Sequence, residues 1–272
     1  MAVMNPHIYR ACSWALRNLV PESYWPETVD VDGVAIRLRN TPYSFSTRKL
    51  IRDGKYELPE RTLVKKSITS GMQVIEFGGS LGIVTSVVAK CAGPTGRVIS
   101  VEASEELTNF SRPWLERGGN VKVLTGYAFP VWETPKGLRV DGFSGSQVSL
   151  GGRVSFDVAN GAASGDANSS VNSEANAPAA TAPQGPRNWD ISTICREFNL
   201  TPDALVMDIE AAERIVLDQA PNYPATLKAI IAELHPGMYP NGQKDLDAIL
   251  ATYAREGFQV KDQVHNTWLL QR

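Results

Sequence analysis

A glycine-rich segment in the first half of the chain joins an apolar run to a helical pattern. It reads Val74-Ile75-Glu76-Phe77-Gly78-Gly79-Ser80-Leu81-Gly82. Gly78 and Gly82 permit a tight turn and let a ligand approach the backbone without a Cβ in the way. The free amides at the start of the next helix favour a negatively charged group. The segment therefore predicts a ligand-binding loop, the alternative being an ordinary turn between a strand and a helix.

Two glutamates indicate which ligand this loop would hold. Glu102 ends the next apolar run, where its two oxygens can accept from both hydroxyls of a ribose. Glu76 can pair with an ammonium group, although an exposed glutamate at a strand end is the alternative. A dinucleotide fingerprint would need glycine at the positions of Ser80 and Ile83, whereas the Glu-x-Gly-x-x-x-Gly spacing fits S-adenosylmethionine. The predicted contacts of this cofactor are Glu76, Gly78, Gly79, Ser80, Gly82, Glu102 and Ala103.

A third apolar run ends in Gly126-Tyr127-Ala128-Phe129. In a parallel sheet this end lies beside the two preceding strand ends. Tyr127 and Ala128 are therefore predicted to face the adenine of the cofactor through an aromatic ring and a backbone amide. Packing of Tyr127 and Phe129 in the core is an equally weighted alternative.

Acidic side chains and a histidine follow two later apolar runs. Asp208 and Glu210 follow Ala204-Leu205-Val206-Met207, and His235 follows Glu233-Leu234. Carboxyl ends of parallel strands meet at one edge of the sheet, where open α/β folds bind ligands. Of the three histidines in the sequence, His235 is the one whose predicted position suits catalysis.

These side chains could supply a general base for methyl transfer to a hydroxyl group. Transfer from a sulfonium is an in-line displacement, and an alcohol is a poor nucleophile until its proton is removed. We predict His235 as the base and, failing that, Asp208 or Glu210. Asp208 is also a predicted contact of S-adenosylmethionine. The alternatives are a structural histidine, acids such as Glu210 and Glu213 that only favour a helix start, and a divalent cation held by Asp208, Glu210 and His235. The prediction favours a site without a metal.

The motifs lie on a regular alternation of β-type runs and helical patterns, which is typical of a parallel sheet covered on both faces. A helical pattern from Ile83 to Cys91 follows the loop, and an apolar stripe from Leu246 to Tyr253 precedes the last two strands. We predict a doubly wound, Rossmann-like α/β fold with the seven-stranded sheet of class I methyltransferases, mostly parallel and ending in an antiparallel hairpin. The predicted strands are Val74–Phe77, Arg97–Glu102, Val121–Thr125, Ala204–Asp208, Leu227–Leu234, Phe258–Asp262 and Thr267–Leu270.

Two regions lie outside this alternation. Residues 1–70 are predicted to form an N-terminal cover, with a helix over Ile8–Val20 and a strand over Val34–Leu38. Residues 71–272 form the predicted cofactor-binding domain, with an insertion over 129–190 that contains a polar hairpin (140–158) and a segment rich in Ala, Ser, Asn, Gly and Pro (160–187). Because that segment offers little apolar surface, we predict a disordered linker rather than a lid that orders on binding.

Taken together, the motifs resemble the FkbM family of methyltransferases. The resemblance implies a class I fold, S-adenosylmethionine as cofactor, Glu57 as a further cofactor contact, and O-methylation of a hydroxyl on a sugar or secondary metabolite. The sequence departs from the family pattern at Glu76, at Gly79-Ser80 and at Ala211. The features that carry the resemblance are Gly54-Lys55-Tyr56-Glu57, Gly71 to Gly82, Val101-Glu102, Met207-Asp208-Ile209-Glu210-Ala211-Ala212-Glu213 and Glu233-Leu234-His235.

Composition narrows the possible partners. A formal net charge of −2 and a pI near 6.0 disfavour nucleic acid as partner. Three widely spaced cysteines indicate neither a disulfide framework nor a thiolate zinc site, and we expect a cytoplasmic protein with no membrane span. The expected partner is a small hydroxylated acceptor. A non-catalytic nucleoside-binding module and an NAD-dependent oxidoreductase are the alternative functions.

Overall fold

The computed structural model of the chain describes residues 20–128, 138–141, 153–156, 187–210, 212–218 and 223–272. Apart from their end residues Val20 and Arg187, the helix predicted at the N-terminus and the linker predicted over 160–187 lie outside the described residues. Ala211 lies outside them as well.

Eleven strands are described, and seven of them form the main sheet. The predicted strands of that sheet agree with the observed ones to within two residues at each end. The short strand pair β1–β2 and the pair β6–β7 stand apart from it. The bounds are β1 Thr28–Val31, β2 Val34–Arg37, β3 Gln73–Phe77, β4 Arg97–Glu102, β5 Val121–Thr125, β6 Leu138–Asp141, β7 Arg153–Phe156, β8 Ala204–Met207, β9 Ala229–Glu233, β10 Gln259–Val264 and β11 Thr267–Gln271.

The main sheet has the order β5-β4-β3-β8-β9-β11-β10. Pairing is parallel from β5 to β9, whereas β11 is antiparallel to both β9 and β10. The strand order reverses between β3 and β8, and in open α/β sheets the crevice at such a point binds the ligand. This is the class I methyltransferase arrangement with its C-terminal antiparallel hairpin, so the predicted fold is confirmed.

Seven α-helices are described, and side chains fix where several of them begin. The Ser44 and Ser104 hydroxyls and the Asp190 carboxylate each accept a hydrogen bond from a backbone amide in the first turn, which stabilises a helix start. Gly257 follows the last helix with φ +88°, a left-handed conformation that is common just after a helix end. The bounds are α1 Phe45–Arg52, α2 Leu58–Ser67, α3 Ile83–Ala92, α4 Glu105–Leu115, α5 Ile191–Phe198, α6 Glu213–Asp218 and α7 Gln243–Arg255.

The central strands bury both of their faces. On β8 every residue from Ala204 to Met207 is buried. Leu205 and Met207 pack with residues of α5 and α7, whereas Val206 packs with residues of α2 and α3 on the opposite face. A doubly wound sheet of this kind keeps the strands rigid and leaves their carboxyl ends to carry functional side chains.

Residues 20–70 pack as a cover against the start of α3. Trp25, Ile36 and Ile51 form a buried cluster with Leu81 and Ile83, which flank the last glycine of the loop. Strand β1 and helix α1 were not predicted, because both are short and the pattern of alternation is weak there. The cover therefore supports the loop from the side opposite the sheet.

The insertion is described only in part. Strands β6 and β7 pair antiparallel, which agrees with the hairpin predicted over 140–158. Arg187, assigned to the predicted linker, instead accepts a backbone hydrogen bond from Tyr127, and Asp190 caps α5. The last residue of the predicted linker, Arg187, is therefore hydrogen-bonded to the chain at the end of β5. Among the described residues, no helix has the length and apolar character to cross a membrane.

Candidate active site

The glycine-rich loop follows β3 at the switch point of the sheet. Gly78 has φ +90°, and a Cβ at this position would lie 1.8 Å from the carbonyl oxygen of Asp208. Ser80 is left-handed, with φ 45°, and its amide donates to Glu102 Oε2 at 2.8 Å. Gly82 has φ +78° and precedes α3. The close approach at Gly78 is thus between two strand ends, and it brings the loop against the residues that follow β8.

Glu76 lies beneath this loop rather than at its mouth. The residue is 2% exposed, and its Oε2 accepts from the Thr85 hydroxyl at 2.5 Å. Burial raises the pKa of its carboxyl group, while hydrogen bonds from Ser100 and Thr85 lower it. Its Oε1 is buried with no hydrogen-bond partner among the described residues. Contact with an ammonium group therefore remains a prediction for Glu76.

Glu102 lies at the carboxyl end of β4, as predicted. Its Oε2 accepts from Ser80 and its Oε1 from the amide of Ser104 at 2.7 Å. These amides hold the carboxylate beside the loop, and burial raises its pKa. Binding of a ribose by Glu102 remains a prediction, as does the part of the neighbouring Ala103.

The end of β5 is joined to the chain that returns from the insertion. The amide of Tyr127 donates to the Arg187 carbonyl at 2.9 Å, and its carbonyl accepts from Trp189 at 2.7 Å. Trp189 donates from its indole to the Thr125 carbonyl, and Arg187 stacks on the Trp189 ring. The Tyr127 amide is thus already engaged, and Ala128 is buried beside it.

Glu57 reaches the same region from the cover. It is left-handed, with φ 45°, and immediately precedes α2. The buried Arg61 donates to the carbonyls of Gly54 and Tyr56 and so fixes this turn. Burial and the charge of Glu57 raise the pKa of Tyr56, whereas Ser80 of the loop lowers it, so the Tyr56 side chain lies near both residues. Burial, together with Glu60, Glu76 and Glu233, raises the pKa of Glu57 to about 8.

This raised pKa predicts how Glu57 affects stability. Between pH 4.5 and about 8, Glu57 ionises in the unfolded chain but holds its proton in the folded one, so the cofactor-free protein should lose stability as the pH rises. Glu57→Gln should therefore have a shallower fall of Tm with pH than the wild-type protein. Thermal unfolding from pH 5 to 9 measures this, with the exposed Glu106→Gln as a control that keeps the wild-type slope.

His235 lies among carboxylates at the carboxyl ends of β8 and β9. Its Nε2 is 3.6 Å from Glu233 Oε1 and 3.9 Å from both Asp208 Oδ1 and Glu210 Oε2. Its Nδ1 is 3.5 Å from Glu213 Oε1. Burial lowers the pKa of His235, but these carboxylates outweigh it and raise the pKa overall. The structure thus brings together the three predicted catalytic residues.

Glu213 and Tyr239 hold this histidine in place. Glu213 is fully buried, and its Oε2 accepts from the Tyr239 hydroxyl at 3.1 Å. That hydroxyl in turn accepts from the backbone amide of His235 at 3.1 Å. Nδ1 makes no hydrogen bond among the described residues, but the charge of Glu213 at 3.5 Å favours a proton on Nδ1, which leaves the Nε2 lone pair free. The ring therefore presents Nε2 to the acidic side chains.

The carboxylates around Nε2 repel one another. Burial and the charges of Glu233 and Glu57 raise the pKa of Asp208 well above its usual value. Burial and Glu60 raise the pKa of Glu233 to about 7. Glu210 is left-handed, with φ 52°, a strained conformation that proteins tolerate mostly at functional sites. This edge of the sheet favours cationic or proton-donating ligands.

Sequence reasoning missed several residues of this site. Tyr239 lies in no motif, and Tyr56 and Glu233 lie in motifs of the family resemblance but have no predicted role of their own. Glu60 is one helical turn beyond Glu57, but only the packing of α2 against the sheet brings it to the site. An acidic i, i+3 pair at a helix start, as here, is common without function.

A family model of protein-L-isoaspartate (D-aspartate) O-methyltransferases matches residues 60–128. That segment runs from α2 to the end of β5 and contains the glycine-rich loop, Glu76 and Glu102. Its fold and its cofactor are those of a class I S-adenosylmethionine-dependent methyltransferase. The cofactor predicted from the sequence is thereby confirmed. The matched segment ends before β8, so Asp208 and His235 lie outside it.

Two curated relatives carry the name protein-L-isoaspartate O-methyltransferase. The protein of Methanothrix thermoacetophila is 41% identical over 61 residues, which cover 22% of this chain and 29% of that protein. The protein of Methanococcoides burtonii is 42% identical over 59 residues, covering 21% and 29%. The chain therefore spans less than a third of the length of these relatives.

Solved structures similar to the chain include other methyltransferases. Fibrillarin of Aeropyrum pernix, with bound S-adenosylmethionine, is 11% identical, covers 77% of this chain and 71% of its own, and has a TM-score of 0.41. A methyltransferase of Aquifex aeolicus is 15% identical, with coverage of 85% and 97% and a TM-score of 0.41. The fold assignment rests on the strand order rather than on these scores.

Proposed function

We propose that the protein transfers the methyl group of S-adenosylmethionine to a hydroxyl group of a small molecule, as the resemblance to the FkbM family implies. The observation that carries the proposal is the arrangement of His235, with Nδ1 against buried Glu213 and Nε2 facing the carboxyl edge of the sheet. A histidine oriented by a carboxylate is a common general base. Such a base is needed by an alcohol acceptor.

In the proposed reaction, some residues of the site bind the cofactor and His235 removes the proton of the acceptor. When bound, S-adenosylmethionine supplies an electrophilic methyl group. The glycine-rich loop, Glu102 and Glu57 surround the region proposed for it, and the acidic edge favours its positive charges. The amides of Gly78, Gly79, Ser80 and Gly82 donate within the protein and so hold the shape of the loop. The acceptor hydroxyl lies at the same edge and gives its proton to Nε2 of His235. Orientation of the two reactants accounts for much of the rate, because the displacement is in line.

A second candidate is methylation of a protein carboxyl group, as the names of the curated relatives suggest. The local sequence match favours it, but the match covers the cofactor half of the site. A carboxylate acceptor is already deprotonated at neutral pH and needs no base. It would also approach Asp208, Glu210 and Glu233, which repel an anion. We therefore favour a neutral hydroxyl acceptor.

Cofactor binding tests the first part of the proposal. S-adenosylmethionine and S-adenosylhomocysteine should each stabilise the protein, by about 2.7 kcal/mol at one hundred times the dissociation constant, whereas NAD should not. Thermal-shift assays and calorimetry measure this. Stabilisation by NAD alone would favour an oxidoreductase, and no binding of either sulfur compound would refute a methyltransferase.

The acceptor class is tested with labelled S-adenosyl-[methyl-³H]methionine. A panel of glycosides and hydroxylated metabolites should include compounds that accept label in a base-stable ether linkage. A peptide with an isoaspartyl residue should accept none, and any label on it would be base-labile as a methyl ester. Labelling of the peptide and of no hydroxyl compound would establish the second candidate instead.

A further inference from the structure

The side chains of Asp208, Glu233 and His235 together have the composition of a metal site. Each offers one ligand atom, and these atoms lie within 4.8 Å of one another. Nε2 is 3.6 Å from the nearer Glu233 oxygen and 3.9 Å from Asp208 Oδ1. Ligands bound about 2.1 Å from a cation lie about 3.0–3.4 Å apart, so a small contraction would close the site.

A buried carboxyl group behind this trio points to a missing positive charge. Glu60 is 4% exposed, and its Oε1 accepts from the Thr267 hydroxyl at 2.7 Å. No donor among the described residues reaches its Oε2. Asp208 Oδ1 is likewise buried without a hydrogen-bond partner among the described residues. Buried acceptors that lack a donor are stabilised by a proton or a cation beside them.

The surroundings of His235 also fit a ligand role. Metal-binding histidines typically contact a carboxylate with the second ring nitrogen, which fixes the tautomer and raises the basicity of the first. Glu213 is placed in this way, 3.5 Å from Nδ1 and itself held by Tyr239. The same arrangement serves a general base, so it supports a metal only together with the buried carboxyl groups.

We propose that Asp208, Glu233 and His235 bind a divalent transition-metal ion that orients the acceptor hydroxyl. One imidazole and two carboxylates form a mixed nitrogen and oxygen set, which suits Mn²⁺, Fe²⁺ or Zn²⁺ better than Ca²⁺. The inference rests on the proposed methyl transfer to a hydroxyl group, but it changes the role of His235 from general base to metal ligand. It also departs from the sequence prediction, which favoured a site without a metal and considered Glu210 rather than Glu233 as a ligand.

A bound cation would change the roles of His235 and Glu210 at the carboxyl edge of the sheet. Nε2 of His235 is a ligand, and the cation lowers the pKa of the coordinated hydroxyl. The hydroxyl proton passes to Glu210, whose Oε2 is 3.9 Å from Nε2 and which is not one of the three ligands. The oxygen bonds to the methyl carbon as the carbon–sulfur bond breaks, and the bonding electron pair stays on sulfur.

Direct binding of Mn²⁺ tests the inference without any acceptor. Purified full-length protein, first treated with EDTA and dialysed, is titrated with MnCl₂ while electron paramagnetic resonance follows the free ion. We expect one bound equivalent, and an affinity at least tenfold weaker in the isosteric variants Asp208→Asn and Glu233→Gln. Glu213→Gln should weaken binding about 10–100-fold through the orientation of His235. Glu106→Gln, on the exposed face of α4, should bind as the wild type does.

Four results would overturn the inference. One is no saturable Mn²⁺ binding, and another is equal binding by wild type and both ligand variants. The third is exclusion of Mn²⁺ by S-adenosylmethionine, which would mean that the carboxylates serve the positive charges of the cofactor. The fourth is full methyl transfer by EDTA-treated protein, which would reject the metal but keep the proposed function. Failure of the wild-type protein to bind S-adenosylmethionine would reject the proposed function itself.

Discussion

His235→Asn should lower kcat for methyl transfer to a hydroxyl acceptor by about 10²–10⁴-fold, the usual contribution of a positioned acid or base. The dissociation constant of S-adenosylmethionine should stay within about twofold, because His235 follows β9 and the loop follows β3. Asparagine keeps a polar side chain beside Glu213 but accepts no proton at the position of Nε2. The effect is expected whether Nε2 acts as base or as metal ligand, since both roles are lost.

The matched control for this variant is His265→Asn. His265 is exposed in the turn between β10 and β11 and is left-handed, with φ 54°, a conformation that asparagine tolerates. It should keep wild-type kcat. Steady-state kinetics with the accepted hydroxyl compound, together with calorimetric cofactor affinity, compare the two variants. A His235→Asn enzyme with wild-type kcat would remove the histidine from the mechanism.

The strands of the main sheet could be predicted from the sequence because each is a short apolar run between turn residues. Arg97–Glu102 and Val121–Thr125 match the observed β4 and β5. In contrast, β1 and α1 depend on packing of Trp25 and Ile51 against Leu81, a contact between distant parts of the chain that no local pattern reports. Periodicity therefore predicts the layers of this fold better than the cover.

The site was predicted in part for a related reason. Asp208, Glu210 and His235 could be found because carboxyl ends of parallel strands meet at one edge. The contacts between these side chains could not be predicted from the sequence, because Glu60 reaches the edge from α2 and Glu213 reaches it from the start of α6. Glu76 illustrates the reverse case, because a strand-end position did not reveal that its side chain turns under the loop toward Thr85.

The two halves of the site carry different kinds of information. The segment of residues 60–128, which contains the glycine-rich loop and Glu102, matches a family model of isoaspartyl methyltransferases. A cofactor-binding segment of one kind can serve many different acceptors. The proposed acceptor half lies at the carboxyl ends of β8 and β9, outside the matched segment. Its acidic character argues for a neutral acceptor or a bound cation. Sequence similarity over residues 60–128 therefore says little about the methyl acceptor. The side chains at the ends of β8 and β9 determine which acceptor can bind.

Gly78→Ala should be the most damaging single substitution in the loop. An added Cβ would lie 1.8 Å from the Asp208 carbonyl oxygen and 2.8 Å from its carbon, both backbone atoms that cannot rotate away. A left-handed backbone costs an alanine about 1–2 kcal/mol, and the forced separation of the two strand ends should add about 1–3 kcal/mol. Because Asp208 moves with its backbone, affinity for S-adenosylmethionine should fall as well.

Gly119→Ala separates the two contributions. Gly119 has φ +75°, and nothing lies within 4 Å of an added Cβ there. Its alanine variant should therefore lose only the conformational part, about 1–2 kcal/mol, and bind the cofactor normally. Denaturant unfolding gives both stabilities, and calorimetry gives both affinities. Equal losses of unfolding free energy in Gly78→Ala and Gly119→Ala would contradict this prediction. They would mean that a Cβ at Gly78 fits between the loop and the carboxyl end of β8 without a clash.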